Sequence, residues 1–516
     1  MSQWDVIVIG SGIGGLSAAA ALAREGKRVL VVERHSQLGG LTQSFERNGY
    51  RFNVGVHYIG GAGDIEGRAG PAKKIFDVLT PHGIPMASMG PVYDRVHFPG
   101  MTIEFEHPAA RLVETLKVRF PTEAAGIDRY FDSMRAAGKA LEAVFAAHSM
   151  PQIVARGLMW WKEDDVERWV GRTLWEVIQE CVGDPKLQAV LAAQWGDHGG
   201  RPTQASFALH AVVMSSYFDG AWYPVGGSGV FAEALGQAVR AGGGELRASE
   251  PVAAIRVSEG RVQGVTLASG AMIDAPCVIS DAGVRTTLRL LPSEEVDYEW
   301  ARDVLQIEPS VGYVGLYLGL DGDIAANGAS TANDWIYESW DVDQLWRNPL
   351  IEPDAPMMFV SFPSLKDPLH DPGKSLRHTC EIVAFVDPDA FAPWERESMK
   401  RGDTRDPGYL ELKEQIEQNL LSQFGRHFPR LAPMVRYVTS STPISVSTYT
   451  GAEHGAMYGL ATTPARFLSD ALRPRTPIGG LFLAGQDACC PGVTGALLGG
   501  LMAAVSVEPR LLTLLR

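Results

Sequence analysis

Cysteine is scarce in this chain. Cys181, Cys277, Cys380, Cys489 and Cys490 are the only five among 516 residues. They are odd in number and follow no metal-ligand spacing, which argues against a disulfide framework and against a structural metal site. A reducing compartment is the expectation. Positive charge is short as well: 46 Lys and Arg stand against 60 Asp and Glu, a net charge of −14. Nucleic-acid binding needs clustered cations to displace counterions and is excluded as a reading. Broad electrostatic docking on anionic lipid is disfavoured too, leaving room only for a local patch. No run reads as a membrane span. The longest uncharged stretch, Ala488 to Val507, is broken by glycines and carries Pro491 and Thr494 where a helix would start, so it reads as a buried core helix. Internal repeats and low-complexity tracts are missing. The expected location is the cytoplasm, with peripheral membrane contact left open.

What the chain does have begins at residue 4, so no signal peptide is expected ahead of it. Trp4 to Ile9 is an apolar strand running into Gly10-Ser11-Gly12-Ile13-Gly14-Gly15. A helix-forming stretch from Leu16 to Glu25 follows, then Gly26 and a second strand, Lys27 to Val32, ending in Glu33. This is the dinucleotide-binding fingerprint in its full context. Gly10 permits the tight turn, Gly12 lets the backbone approach a pyrophosphate, and Gly15 lets the helix sit against the sheet. The helix start offers free N–H groups and a positive dipole end to phosphate. Glu33, eighteen residues past Gly15, is placed to accept from adenosine ribose hydroxyls.

Nucleotide-binding texture returns twice. Around residues 222–290, Gly226-Gly227-Ser228-Gly229 leads into a helical Val230 to Leu235, and strand-like segments from Val252 to Ala275 form a β-meander closed by Cys277 to Ser280. Near the C-terminus, strand Leu481 to Ala484 meets Gly485-Gln486-Asp487 and a helix from about Val493. Between these lie a helix-rich, Trp-rich stretch (86–220) and a mixed stretch with proline-marked loops (300–440). A length of 516 residues exceeds a single core. The expected division is a discontinuous nucleotide-binding domain of residues 1–85, 221–300 and 441–516, with a substrate-binding cap of 86–220 and 301–440.

A fingerprint at the start, a meander in the middle and a Gly-Gln-Asp strand–helix at the end resembles the glutathione-reductase-like FAD-binding fold. That implies an α/β class in which a Rossmann domain carries an inserted α+β cap. Within that fold the likeness is to the amine oxidase and phytoene desaturase superfamily. Amine oxidases usually place Arg directly after the second glycine pair; here Gly39-Gly40 is followed by Leu41-Thr42. The segments Asn48 to Gly60, Trp195 to Gly199, Ser206 to Ala211, Gly220 to Gly227 and Ser361 to Pro368 are instead similar to retinol saturases and carotenoid isomerases. Asn53 departs from the Asp common in those relatives.

The resemblance implies FAD. Its binding residues are expected to be Gly10, Gly12, Ile13, Gly14 and Gly15 at the pyrophosphate, Glu33 and Arg34 at the adenosine, and Gly39, Gly40, Leu41 and Thr42 along the ribityl chain. Val56, His57 and Val252 join them, with Gly485 and Asp487 at the phosphate loop or ribityl, and Val493, Thr494 and Ala496 at a helix start aimed at the flavin pyrimidine. Changing a C=C bond needs hydride or electron transfer, which no side chain performs; the flavin carries it and the protein supplies placement and protons. His57, Tyr58 and His198 are the candidate proton-handling residues. The implied substrate is a hydrophobic polyene, isoprenoid or unsaturated lipid, to be saturated, desaturated or isomerised. A flavin amine oxidase and a non-enzymatic escort of prenylated proteins are the competing readings on this fold. Trp160 and Trp161, in the segment Met150 to Trp161, belong either to a helical core or to a membrane-contacting face. No second nucleotide-binding unit accompanies the first, so an external electron donor or acceptor is expected.

Overall fold

The structure, a computed structural model, describes residues 3–65, 67–150, 152–346, 351–395 and 406–515. Five short parallel strands form the first sheet: β1 (Val6–Ile9), β2 (Val29–Val32), β3 (Glu245–Arg247), β4 (Val278–Ser280) and β5 (Leu481–Leu483). Their order is β3-β2-β1-β4-β5. Strands buried on both faces need unbroken apolar runs, which is why VIVI and VLVV appear where they do. Cys277 to Ser280 was expected to close the meander. It crosses instead into this sheet, pairing Ile7 with Val278 and Ile9 with Ser280, because its side chains are too apolar for an exposed hairpin edge.

Helix α1 (Ile13–Arg24) is alanine-rich and packs against α3 (Gly492–Val507), while α2 (Val230–Ala241) lies on α1's other side. Small residues allow the α1–α3 approach. A Cβ on Gly500 would stand 2.0 Å from Gly14 O, and Ser17 Oγ donates across the interface to Leu497 O at 3.0 Å. The meander, Val252–Ser258, Arg261–Leu267 and Met272–Asp274, forms its own antiparallel sheet.

A second sheet has seven strands, ordered Met101–Glu106, Val92–Phe98, Asn333–Tyr337, Met357–Ser361, Arg377–Val386, Gly312–Asp321, Val435–Ser441. All its pairs are antiparallel except Val92–Phe98 with Asn333–Tyr337. Residues 86–106, expected within a helix-rich stretch, supply two of these strands. The strand period of two sorts its faces. Ile336, Met358 and Ile382 meet helix Pro407–His427, whereas Trp335, Phe359, Val383 and Phe385 face a helical layer that includes Ala124–His148 and Phe207–Ser215. Among the described residues no helix is long and apolar enough to cross a membrane.

Candidate active site

The C-terminal ends of the parallel strands open into a cleft of about 620 Å³. Gly10, Gly12, Ile13 and Gly14 form one wall, Glu33 and Arg34 one end, and Gly39, Gly40, Leu41 and Thr42 a second loop. Val56, Val252, Asp487, Val493 and Ala496 complete the surface among the expected residues. Gly10 and Gly39 have φ of +93° and +113°, which only glycine adopts without strain. Gly15 and Gly485 act from behind the wall. A Cβ on Gly15 would meet Gly10 O at 2.3 Å, and one on Gly485 would meet Asp281 Oδ1 at 2.0 Å. His57 and Thr494 were expected on the cofactor; both line a neighbouring cavity and neither lines the cleft.

Glu33 is buried and already aimed. Its Oε2 accepts from Ser11 N at 2.8 Å and Ser11 Oγ at 2.7 Å, and its Oε1 from His35 N at 2.8 Å. Asp487 was read as a ribityl or phosphate-loop ligand. It lines the cleft, and its oxygens also hold backbone there, Oδ2 accepting from Val284 N at 2.9 Å and Oδ1 from Leu460 N at 3.2 Å, so it clamps three chain segments around the cleft.

Three charged cleft residues escaped the sequence reading: Arg285, Glu453 and Asp281. Arg285 pairs with Glu453 at 3.0 Å. Asp281 lies directly after β4, against Gly12, Gly14 and Gly15. Burial pushes its carboxyl up to about 7, helped by the nearby charges of Glu33 and Asp487 and opposed by the Gly15 N–H. A signal for Asp281 existed: ligands of parallel sheets gather at the carboxyl ends of strands, and Asp281 occupies such an end.

A chamber of about 170 Å³ adjoins the cleft, and Gly55, Val56, Met457, Tyr458, Gly492 and Val493 line both. Val212, Val213, Trp335, Phe359, Val383 and Phe385 make most of its remaining wall apolar. His57, Tyr58 and Asp197 are its titratable members beside Tyr217, Tyr458 and Cys490. His57 Nδ1 lies 3.1 Å from Glu381 Oε2, and Glu381 in turn accepts from Asn53 N at 2.6 Å. Asn53 uses both ends of its amide, donating to Tyr223 OH at 2.8 Å and accepting from Ser228 N at 2.9 Å; an ionised Asp there could not donate. Tyr58 OH sits between Asp94 Oδ2 (2.9 Å) and Asp197 Oδ2 (2.8 Å).

His198 is not part of this site. It is fully buried with its Nε2 3.1 Å from His210 Nδ1, and burial holds both rings below the ordinary histidine range. Two imidazoles sharing one hydrogen bond in an apolar layer stay neutral, so His198 packs rather than reacts. Cys489 and Cys490 are free thiols with sulfurs 3.9 Å apart. Among the described residues no cluster of His, Cys, Asp and Glu is suited to a metal.

A dinucleotide-type cleft sharing a wall with a separate apolar chamber is the arrangement of an oxidoreductase that holds a redox cofactor beside a hydrophobic substrate. The chain belongs to the family described as flavin containing amine oxidoreductase, whose profile matches residues 13–507. It is 31% identical to the all-trans-retinol 13,14-reductase of Danio rerio over 96% of this chain and 84% of that protein. It is 25% identical to the chloroplastic prolycopene isomerase of Daucus carota over 97% of this chain and 79% of that protein. Among solved structures, putrescine oxidase bound to putrescine superposes with a TM-score of 0.65 at 15% identity, covering 98% of this chain and 99% of that one. At that identity the likeness concerns the fold.

Proposed function

We propose that this protein is an FAD-dependent oxidoreductase acting on a carbon–carbon double bond of a hydrophobic polyene, isoprenoid or unsaturated lipid. The observation that carries the reading is the wall shared by cleft and chamber. The start of α3 and the Gly55–Val56 turn separate a nucleotide-shaped space from an apolar one. A redox ring held there faces a substrate with no charge to recognise. Relatives that act on a retinoid and on a carotene support the same choice.

In this reading Glu33 takes the adenosine ribose, the α1 N-terminus with Gly12 and Gly14 takes the pyrophosphate, and Gly39 to Thr42 follow the ribityl chain. The α3 N-terminus, from Gly492 to Ala496, points its free N–H groups toward the pyrimidine edge. Bound FAD supplies hydride exchange with carbon. The chain's own residues then do three things: the aromatic wall orients the polyene, Trp335 and Phe359 exclude water, and the polar end at Tyr58 and Asp197 handles protons.

Collection of such a substrate from a bilayer is part of the proposal. Helix Gln152–Trp161 leaves Val154, Trp160 and Trp161 exposed, the two tryptophans at 78% and 73%. These are not the core residues that one sequence reading made them; Pro151, in the same segment, lies outside the described residues. Exposed indoles beside Lys162 suit a lipid interface. Sedimentation with phosphatidylcholine vesicles should fall when Trp160 and Trp161 are both changed to Ser.

The functional test uses purified protein. Visible absorption should show flavin bands, and the released cofactor should chromatograph as FAD. Anaerobic incubation of the dithionite-reduced protein, and in parallel of the oxidised protein, with all-trans-retinol or prolycopene, followed by mass analysis, separates gain of a hydrogen pair, loss of one, and isomerisation without change in mass. Bleaching of the oxidised protein by amines but by no polyene would replace this reading with an amine oxidase. A colourless protein that binds prenylated peptide would replace it with an escort.

A further inference from the structure

Four chain regions converge on the polar end of the chamber. Tyr58 follows the strand Tyr50–Asn53, Asp94 lies on Val92–Phe98, Asp197 ends a helical turn after Pro185–Ala192, and Lys366 follows Met357–Ser361. Tyr58 OH is within hydrogen-bond reach of both carboxylates, 2.9 Å from Asp94 and 2.8 Å from Asp197. One phenolic proton cannot serve both. Asp94 is the committed anion, since it also accepts from Gln194 Nε2 at 2.6 Å and Asn333 Nδ2 at 2.8 Å. Lys366 backs that charge through Asn333, to whose Oδ1 it donates, while its ammonium is also held by Ser361 Oγ at 2.7 Å and His57 O at 3.0 Å. Tyr58 therefore donates to Asp94, and the contact to Asp197 needs a proton of its own, carried by Asp197 and given to the Tyr58 oxygen.

We propose that Asp197 is held as a neutral carboxylic acid at the chamber wall and is the proton donor of a double-bond saturation, with Tyr58 and Asp94 keeping it protonated. The proposal rests on the polyene reading above and adds to it a donor and a direction. Hydride, with its electron pair, is delivered to one alkene carbon from reduced flavin. The Asp197 O–H bond breaks as a C–H bond forms at the other carbon, leaving Asp197 a carboxylate. Once product has left, that carboxylate regains a proton from water entering the chamber, because the negative charge of Asp94 across Tyr58 opposes a second anion. A group kept protonated in its resting state serves addition of hydrogen; removal would call for a base. Burial and the charge on Asp94 both push the Asp197 carboxyl well above the ordinary carboxylate range, while Asp94, eased by its three donors and by Lys366, is pushed up only to about 6. Tyr58 is excluded as the first donor because its oxygen is enclosed between the two carboxyls and burial drives its hydroxyl well above 10.0.

The test pairs infrared spectroscopy of the flavin-loaded protein with single-turnover reduction of all-trans-retinol and prolycopene. Spectra are taken in the Asp281→Asn background, so that the raised Asp281 carboxyl contributes no band of its own. With Asp197 intact, the protein should show the carbonyl band of a neutral carboxylic acid that shifts in D₂O. Asp197→Asn should lose that band and slow saturation by about 10²- to 10⁴-fold, the range of a general acid. Tyr58→Phe should keep the band but move its frequency, because the carboxyl loses its acceptor. A band that survives Asp197→Asn and disappears in Asp94→Asn overturns the proposal, and so does Asp197→Asn with an unchanged saturation rate. A wild-type protein that isomerises or desaturates these polyenes and saturates neither overturns the donor assignment while leaving the parent reading standing, and one that changes neither overturns both.

Discussion

Asp281 makes flavin binding a proton-coupled event. Its carboxyl lies against the glycine turn and the Gly15 N–H, where the α1 N-terminus would also meet a pyrophosphate, and burial lifts it from 3.8 to about 7. Two anions cannot share that amide, and the permanently charged pyrophosphate cannot be the one to protonate. The protein therefore takes up one proton as FAD binds. The sign follows from an acid whose folded value is raised: the protonated form binds, so affinity is full below the transition and is lost as pH climbs through it. Each pH unit above about 7 then costs about 1.4 kcal/mol, or tenfold in dissociation constant, until the still higher value of the bound state is reached. From about pH 6 to about pH 9 the loss approaches two orders of magnitude, about 2.7 kcal/mol. Titration of apoprotein with FAD by flavin fluorescence across this range measures it. Calorimetry in buffers of different protonation enthalpy counts the proton. Asp281→Asn, neutral at every pH, should bind as tightly as wild type at low pH and show no slope. A flat wild-type profile, or an Asn variant that keeps the slope, refutes the reasoning. The same shift makes the cofactor-free fold lose stability as pH rises from 3.8 to about 7, the reverse of a salt-bridged aspartate.

Three further outcomes are expected. Glu33→Ala removes a charged acceptor for ribose hydroxyls and also frees Ser11; purified variant should retain little flavin, having lost about 1.5–3 kcal/mol for each charge-assisted bond. Unchanged flavin content would remove Glu33 from the site. Gly500→Ala drives a methyl group into Gly14 O at the crossing of α1 and α3, where neither backbone has room to yield; a loss of about 3 kcal/mol or more, read as a lowered melting temperature or insoluble expression, is expected. With no second dinucleotide fingerprint in the chain, excess NADPH or NADH mixed anaerobically with the protein should leave the flavin oxidised. Stoichiometric bleaching at about 1 per second or faster, a rate of catalytic order, would show a nicotinamide site and remove the need for an external donor.

What could be read from the chain was local. The β1–turn–α1–β2 unit and Glu33 lie within thirty-three residues, so spacing alone carries their geometry. Tyr58, Asp94, Asp197 and Lys366 have no such signature. They are brought together by the pairing of Val92–Phe98 with Asn333–Tyr337 and by the helical layer that sets Asp197 over that sheet. Asp281 carried one signal, its place at a strand's carboxyl end, but its contact with the glycine turn arises only because Ile9 pairs with Ser280. His198 misled in the opposite direction. It stands in a segment with a strong family likeness, yet its ring is spent on His210 inside an apolar layer. Trp160 and Trp161 show the limit of composition: aromatic density alone does not tell a core from an exposed face, whereas their exposure does.

The order of the first sheet also sets a timetable for biosynthesis. β1 and β2 leave the ribosome early, but β4, which covers β1's other edge, follows about 250 residues later at Val278–Ser280, and β5 and α3 come after residue 480. Until then α1 has no α3 to pack against, and β4 offers an open apolar edge that any neighbouring nascent chain can pair with. Flavin therefore has no finished cleft to enter during translation. Loading follows synthesis of α3, and chains cut short of it, even those carrying the whole glycine fingerprint, should accumulate as aggregates without colour.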